Sequence, residues 1–162
     1  MHLIYLRHGE RSGHPTPADD DLTPHGLAMA AEAGRWLGAH GHTPSHIWPT
    51  ATRRARQTAD AVAAAAGPPP GSTILPPRAR TPGSTDALLT LTLDARDRLG
   101  DDAILCLVGH HTTQRVVEKL TPTDWRPPPN NRCAAFVFRV TAAGELVPLE
   151  PFAGVPQRSR PA

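Results

Sequence analysis

The chain has 162 residues, within the usual range of one domain, and folding at that size buries roughly 70% of the surface the unfolded chain exposes, so one core suffices. Hydrophobic residues make up 39% but aromatics only 4%, so Leu, Val, Ile and Ala must fill the interior, as in Ala-rich helices packed closely on a sheet. The 17 basic and 15 acidic residues leave a formal charge of +2, which argues against nucleic acid or an anionic membrane as partner and makes any anion site local.

Leu3 to Leu6 is a short, apolar, partly β-branched run that meets Arg7-His8-Gly9 at once, the pattern of a buried strand ending in a functional loop. The apolar stretch before Arg7 is too short for a signal peptide or a membrane span, and the expected compartment is a reducing cytoplasm. Residues Gly13 to Asp21 carry two prolines and three aspartates and read as a polar loop. Thr23 is placed to cap a helix with Pro24 in its first turn, with Leu27, Ala31, Gly34 and Leu37 on its inner face and its end near Gly38 or Gly41.

A brief strand is expected at His46 to Trp48, then a helix from Thr52 to Ala66 with Ala55, Ala59, Val62 and Ala66 inward, stopped by Gly67 and three prolines. Thr73 to Leu75 reads as a third short strand. Ser84 or Thr85 can cap a helix on which Leu88, Leu91, Ala95 and Leu99 share one side, and Gly100 closes it. Ala103 to Val108 is an unbroken apolar run, the mark of a strand covered on both faces, and it leads into Gly109-His110-His111. A fourth helix through Val116, Val117 and Leu120 precedes a Pro-rich loop from Thr121 to Arg132 in which Trp125 is read as an anchor. Ala134 to Val140 and Leu146 to Leu149 flank a turn at Gly144 and read as a terminal hairpin. The whole predicts a three-layer α/β/α sandwich on a mainly parallel sheet with an antiparallel edge, one domain over 1–150 and a loose tail over 151–162.

Two strand ends carry histidine, and in open α/β sheets ligands bind outside the carboxyl ends of strands, so His8 and His110 are expected to converge. Arg53, Arg54 and Arg56 open the second helix, where cations oppose the helix dipole and an anion would relieve them. His40, His42 and His46 lack the carboxylate or cysteine that would complete a metal set, and no metal or cofactor is expected. Cys106 reads as core, and Cys133 has no partner base in sequence. Arg53, Arg56, Arg78, Arg80, Arg96 and Arg98 read as solvated charges.

Several motifs, in order, resemble the histidine phosphatase superfamily, also called the phosphoglycerate mutase-like fold. They are Leu-Ile-Tyr-Leu-Arg7-His8-Gly9-Glu10, Leu22-Thr23-Pro24-His25-Gly26, Thr50 through Arg54-Ala55-Arg56-Gln57-Thr58, and Leu107-Val108-Gly109-His110. The resemblance spans residues 3 to about 140 and implies that His8 is a phosphoryl-accepting nucleophile, with Arg7, Arg54 and His110 around the phosphate. Two guanidinium forks and an imidazole suit a transferring phosphoryl group, whose charge is spread over three oxygens, without a metal.

The sequence departs from the family at three points: Thr50 stands where serine is usual, His111 follows the second histidine, and no Glu follows the third strand. Asp86 is the only acid between Leu75 and Ala87 and is expected to protonate the leaving group, with Glu10 and the Asp19 to Asp21 group as rivals. The resemblance implies hydrolysis of a small-molecule phosphate monoester. The short chain and missing Glu also resemble the small bacterial phosphohistidine phosphatase branch, which makes a phosphohistidine protein the alternative substrate. A phosphate-binding module without catalysis is the remaining reading.

Overall fold

The computed structural model describes residues 1–16, 20–67, 73–76, 84–119 and 131–154. Its elements are β1 (His2–Arg7), α1 (Pro24–Ala39), β2 (His46–Pro49), α2 (Arg53–Ala65), β3 (Thr73–Ile74), α3 (Thr85–Leu99), β4 (Ile104–Gly109), α4 (His111–Lys119), β5 (Ala135–Val140) and β6 (Leu146–Pro148). Among the described residues the strands form one sheet in the order β3-β2-β4-β1-β5-β6. β3, β2, β4 and β1 run parallel, and β5 and β6 close the other side antiparallel. The expected mainly parallel sheet with an antiparallel edge is what the chain forms.

Successive side chains of a strand point to opposite faces, which is why both faces of β1 are apolar. Ile4 and Leu6 face one core with Met29, Ala30, Ala33 and Leu37 of α1 and Ala55, Ala59 and Val62 of α2. Leu3 and Tyr5 face the other with Leu88 and Ala95 of α3 and Val116 and Val117 of α4. These are the three layers.

α1 starts where expected: the Thr23 hydroxyl accepts from Gly26 N at 2.9 Å, with Pro24 in the first turn. The expected inner face was rotated. Leu27 is 42% exposed, and the buried stripe is Gly26, Met29, Ala30, Ala33, Gly34 and Leu37. The contact with α2 sets this rotation. A Cβ on Gly34 would lie 2.7 Å from Val62 O, and one on Gly38 only 2.1 Å from Ala66 O, so the two helices meet backbone to backbone along this line. Gly34 and Leu37 lie inward as expected, whereas Leu27 and half-buried Ala31 fall outside the stripe.

In α2, Ala55, Ala59, Val62 and Ala66 are all buried, as the spacing predicts. In α3, Ser84 provides the cap, Leu88 and Ala95 are fully buried, and Leu91 and Leu99 pack at the margin. Arg96, expected as a solvated charge, instead donates to the carbonyls of Thr141 (2.7 Å) and Ala142 (3.0 Å), satisfying acceptors of the β5–β6 turn. Phe152 exchanges backbone bonds with Ala135 and its ring lies 5.4 Å from Trp36, so residues 151–154 are docked beyond the expected boundary at 150. The rest of the expected tail, Trp125 and Asp19 lie outside the described residues.

Gly38→Ala should destabilise the protein although Ala is the better helix former by about 1 kcal/mol. Overpacking against Ala66 should outweigh that gain and leave a net loss of about 1–3 kcal/mol, read as a lower urea midpoint at unchanged slope.

Candidate active site

The parallel strands deliver their carboxyl ends to one place because the register aligns them. Arg7 pairs with Gly109, and Pro49 pairs with Val108. The next residues stay in the ladder: His8 N donates to Gly109 O at 3.1 Å and Thr50 N to Val108 O at 3.0 Å. Thus Arg7 and His8 after β1, Thr50 after β2, and His110 after β4 stand side by side. The rings of His8 and His110 lie 5.2 Å apart at 67°.

His8 is buried, and its Nδ1 lies 2.8 Å from its neighbour's carbonyl, Gly9 O. A carbonyl only accepts, so Nδ1 carries the proton and Nε2 the lone pair. Arg54 Nε donates to that Nε2 at 3.3 Å, which requires the same tautomer. Burial, with repulsion from Arg132, His110 and Arg54, pushes the His8 pKa down to about 2, against the bond to Gly9, which favours the charged form. The ring is therefore neutral and its lone pair is available.

Gly9 is itself fixed. Its N–H donates to Thr58 Oγ1 at 3.1 Å, and Thr58 donates to Arg54 O at 2.7 Å, tying the loop to the first turns of α2. A Cβ on Gly9 would meet Gly26 O at 2.5 Å, so the loop presses on the start of α1. Thr58 had no assigned role in the sequence reading, although it stands one helical turn after Arg54 in the same motif.

His110 accepts a Tyr5 hydroxyl bond at its backbone carbonyl, and its Nε2 lies 3.1 Å from Thr50 Oγ1. Burial and the charges of Arg54 and Arg7 lower its pKa to about 4. Thr50 thus supplies the hydroxyl expected from serine at this position.

Asp20 belongs to the rival acids considered above and has a different place. It is fully buried and accepts from Arg11 Nη1 (2.9 Å), Ser12 Oγ (3.0 Å), Gly13 N (2.8 Å) and His14 N (3.0 Å), while Arg54 Nη1 lies 3.9 Å away. Burial alone would raise its pKa, but these donors prevail and hold it at about 2. An acid ionised so firmly is a counter-charge and an anchor for the loop, not a proton donor at neutral pH. Asp21 accepts from Gln57 at 3.0 Å and pairs with half-exposed Arg53 at 3.2 Å.

Asp86 sits exposed in the first turn of α3. Glu10 is half-buried two residues after His8. Among the described residues no hydrogen bond or ion pair joins either carboxylate to His8, Arg7, Arg54 or His110. The site also contains a cation that sequence reading passed over: Arg132, just before β5, whose pKa burial and the charges of Arg7, Arg11 and Arg54 lower to about 10. His40 stacks on Trp36 at 4.2 Å and His46 bonds Ser45 at 3.0 Å, so these histidines serve local contacts away from the strand ends. No helix among the described residues is long and apolar enough to cross a membrane.

A pocket of arginines around a neutral, oriented imidazole is suited to an anion that the imidazole attacks. Residues 3–74 match the histidine phosphatase superfamily (branch 1). That segment, β1 to β3, holds Arg7, His8 and Arg54. No curated protein sequence matches the chain. Among solved structures, the chain is similar to a protein histidine phosphatase SixA complexed with tungstate, at 18% identity and a TM-score of 0.76 over 94% of this chain and 96% of that one. It is also similar to a phosphohistidine phosphatase SixA of Agrobacterium tumefaciens, at 18% identity and a TM-score of 0.72 over 93% and 96% of the two chains. A phosphoserine phosphatase of Entamoeba histolytica in complex with 3-phosphoglyceric acid follows at 17% and 0.61 over 93% and 96%. These likenesses fix the fold as phosphoglycerate mutase-like.

The two site histidines predict an acid-sensitive fold. In the unfolded chain each binds a proton near pH 6.5, whereas in the folded protein His110 stays neutral to about pH 4 and His8 to about 2. Their contribution to stability is complete above pH 6.5 and is lost as the pH falls below it. The urea midpoint should therefore drop from pH 7 to pH 4, and His8→Gln combined with His110→Gln should flatten that slope. His2 and His42, also lowered mainly by burial, leave a residual slope.

Proposed function

We propose that the chain is a metal-independent phosphatase that hydrolyses a phosphate monoester of a small molecule through a phosphohistidine on His8. The observation that carries this reading is the double restraint on His8, in which Nδ1 donates to Gly9 O and Nε2 is left facing Arg54. An incoming phosphate would take over the Arg54 donor and lie in line with the lone pair.

In the proposed course, Nε2 attacks phosphorus while the bond to the leaving oxygen breaks. Arg7, Arg54 and His110 bind the charge on the equatorial oxygens, and Asp86 or Glu10 passes a proton to the departing alkoxide. Water then attacks phosphorus, the P–N bond breaks, and its electrons return to Nε2 as phosphate leaves. The same acid, now ionised, accepts the proton of that water. The chain's own cations do what a metal would do, so no cofactor enters. We place the reaction in the cytoplasm, where the two free buried cysteines are at home.

A phosphohistidine protein is the second substrate reading. It is favoured by the correspondence, over nearly the full length of both chains, with the two SixA structures. Turnover of phosphohistidine protein well above that of small phosphate esters would select it.

His8→Ala should abolish release of nitrophenol from nitrophenyl phosphate and leave the melting temperature largely intact. An acid-labile, base-stable phosphoenzyme should form in the parent and be missing in the variant. Phosphate binding by the parent without turnover would instead mark a binding module.

The proton donor is separable by leaving group. General acid catalysis is worth about 10²–10⁴-fold, or about 3 to 5 kcal/mol of barrier, and an alkoxide needs it far more than nitrophenolate. Asp86→Asn should therefore slow phosphoenzyme formation strongly with an alkyl phosphate and mildly with nitrophenyl phosphate. Equal losses there, with the contrast appearing in Glu10→Gln, would move the role to Glu10.

A further inference from the structure

The arginines named for the phosphate, Arg7 and Arg54, come from the part of the chain that carries the family match. Arg132 comes from the other end of the chain and reaches the same place through a tight turn. Ala134 N bonds Asn131 O at 3.4 Å, Cys133 takes a left-handed conformation at φ 56°, and Ala134 O then accepts from Arg7 N at 3.2 Å. The C-terminal segment braces this turn, since Asn131 Nδ2 donates to Ala153 O at 3.0 Å and a Cβ on Gly154 would lie 2.5 Å from Arg132 O. A left-handed, fully buried Cys133 is a costly way to enter a strand, and it aims the preceding residue back over the end of β1.

Among the described residues the side chain meets no counter-ion. Among the described residues, Nε of Arg132 is buried without a hydrogen-bond partner, and no carboxylate pairs with the guanidinium. Asp20, the buried acid beside the arginines, is engaged by Arg11 and the loop, and its Oδ2 also lies 3.9 Å from Arg54 Nη1. The charge of Arg132, with those of His110 and Arg54, adds to the burial that keeps the His8 pKa low. A guanidinium held half-buried among like charges, with an open donor and no acid, is arranged for an anion that arrives from outside.

We propose that Arg132 is a further catalytic residue, whose guanidinium contacts the phosphoryl oxygens at His8 as a third fork beside Arg7 and Arg54. The inference rests on the phosphatase reading above. A transferring phosphoryl group has three equatorial oxygens, and Arg132, just before β5, would add a third guanidinium to those at the end of β1 and the start of α2. Because charge on those oxygens is best matched in transit, the contact strengthens in the transition state.

The test compares the parent with Arg132→Gln and Arg132→Lys, using nitrophenyl phosphate turnover, orthovanadate inhibition, and melting temperature with and without inorganic phosphate. Arg132→Gln should lower kcat by about 10²-fold or more and weaken vanadate more than phosphate. Arg132→Lys, a charge without the fork, should recover part of the loss. The unliganded Gln variant should melt at or above the parent, because a half-buried charge among other arginines has been removed, while the rise in melting temperature with phosphate shrinks. Parent-like kcat and vanadate affinity in the Gln variant would overturn the proposal. So would a lower unliganded melting temperature with vanadate and phosphate weakened in parallel, the mark of a purely structural residue. If the parent itself fails to turn over nitrophenyl phosphate, the phosphatase reading falls, and the loss or retention of the phosphate-induced melting shift still decides whether Arg132 holds the anion.

Discussion

The His8 ring is held at 2.8 Å by the carbonyl of Gly9, and the surrounding backbone is arranged to keep that bond in place. Gly9 is pinned by Thr58 from α2 and by the close approach of Gly26 from α1, so two helices on the same face of the sheet hold a single peptide. A rotated Gly9 carbonyl would free the other tautomer, and Nε2 would then present a hydrogen where a lone pair is needed. The glycines at the α1–α2 contact thus bear on the chemistry as well as on packing, because they set how closely the two helices that clamp the loop can approach.

A second constraint is charge. Arg7, Arg11, Arg54 and Arg132 influence one another across a small volume, and Asp20 is the buried acid among them. Asp20 pairs with Arg11 and organises residues 11–14. Burial first, and then the surrounding positive field, keep both imidazoles neutral in the free protein. A phosphate dianion would reverse that field, favouring a proton on His110 at the moment when an extra donor is useful.

The main strands, the caps at Thr23 and Ser84 and the convergence of His8 with His110 were legible in the sequence because each rests on local chemistry: a short apolar run, a hydroxyl before a helix, a strand end that carries histidine. Leu27 was misread, although Gly34 and Leu37 were placed inward correctly, because the close backbone approach of α1 to α2 at Gly34 and Gly38 sets the rotation and leaves no mark in hydrophobic periodicity. Asp20 looked like one of three interchangeable aspartates in a polar loop. Its burial depends on four donors whose convergence no spacing reveals. Arg132 gave no signal at all, being separated from Arg7 by nearly the whole chain and brought to it by an antiparallel pairing that begins after the Pro-rich loop.

The first strand lies in the middle of the sheet, and both of its neighbours, β4 and β5, come from the later part of the chain. During synthesis β1 must wait with two bare edges until Ala135–Val140 has been made, and contacts of such wide sequence separation form slowly. His8, at the end of that strand, is therefore enclosed only once Ala135–Val140 has paired with it. Until then His8 lies in water and in either tautomer, so its fixed orientation is a property acquired only with that pairing.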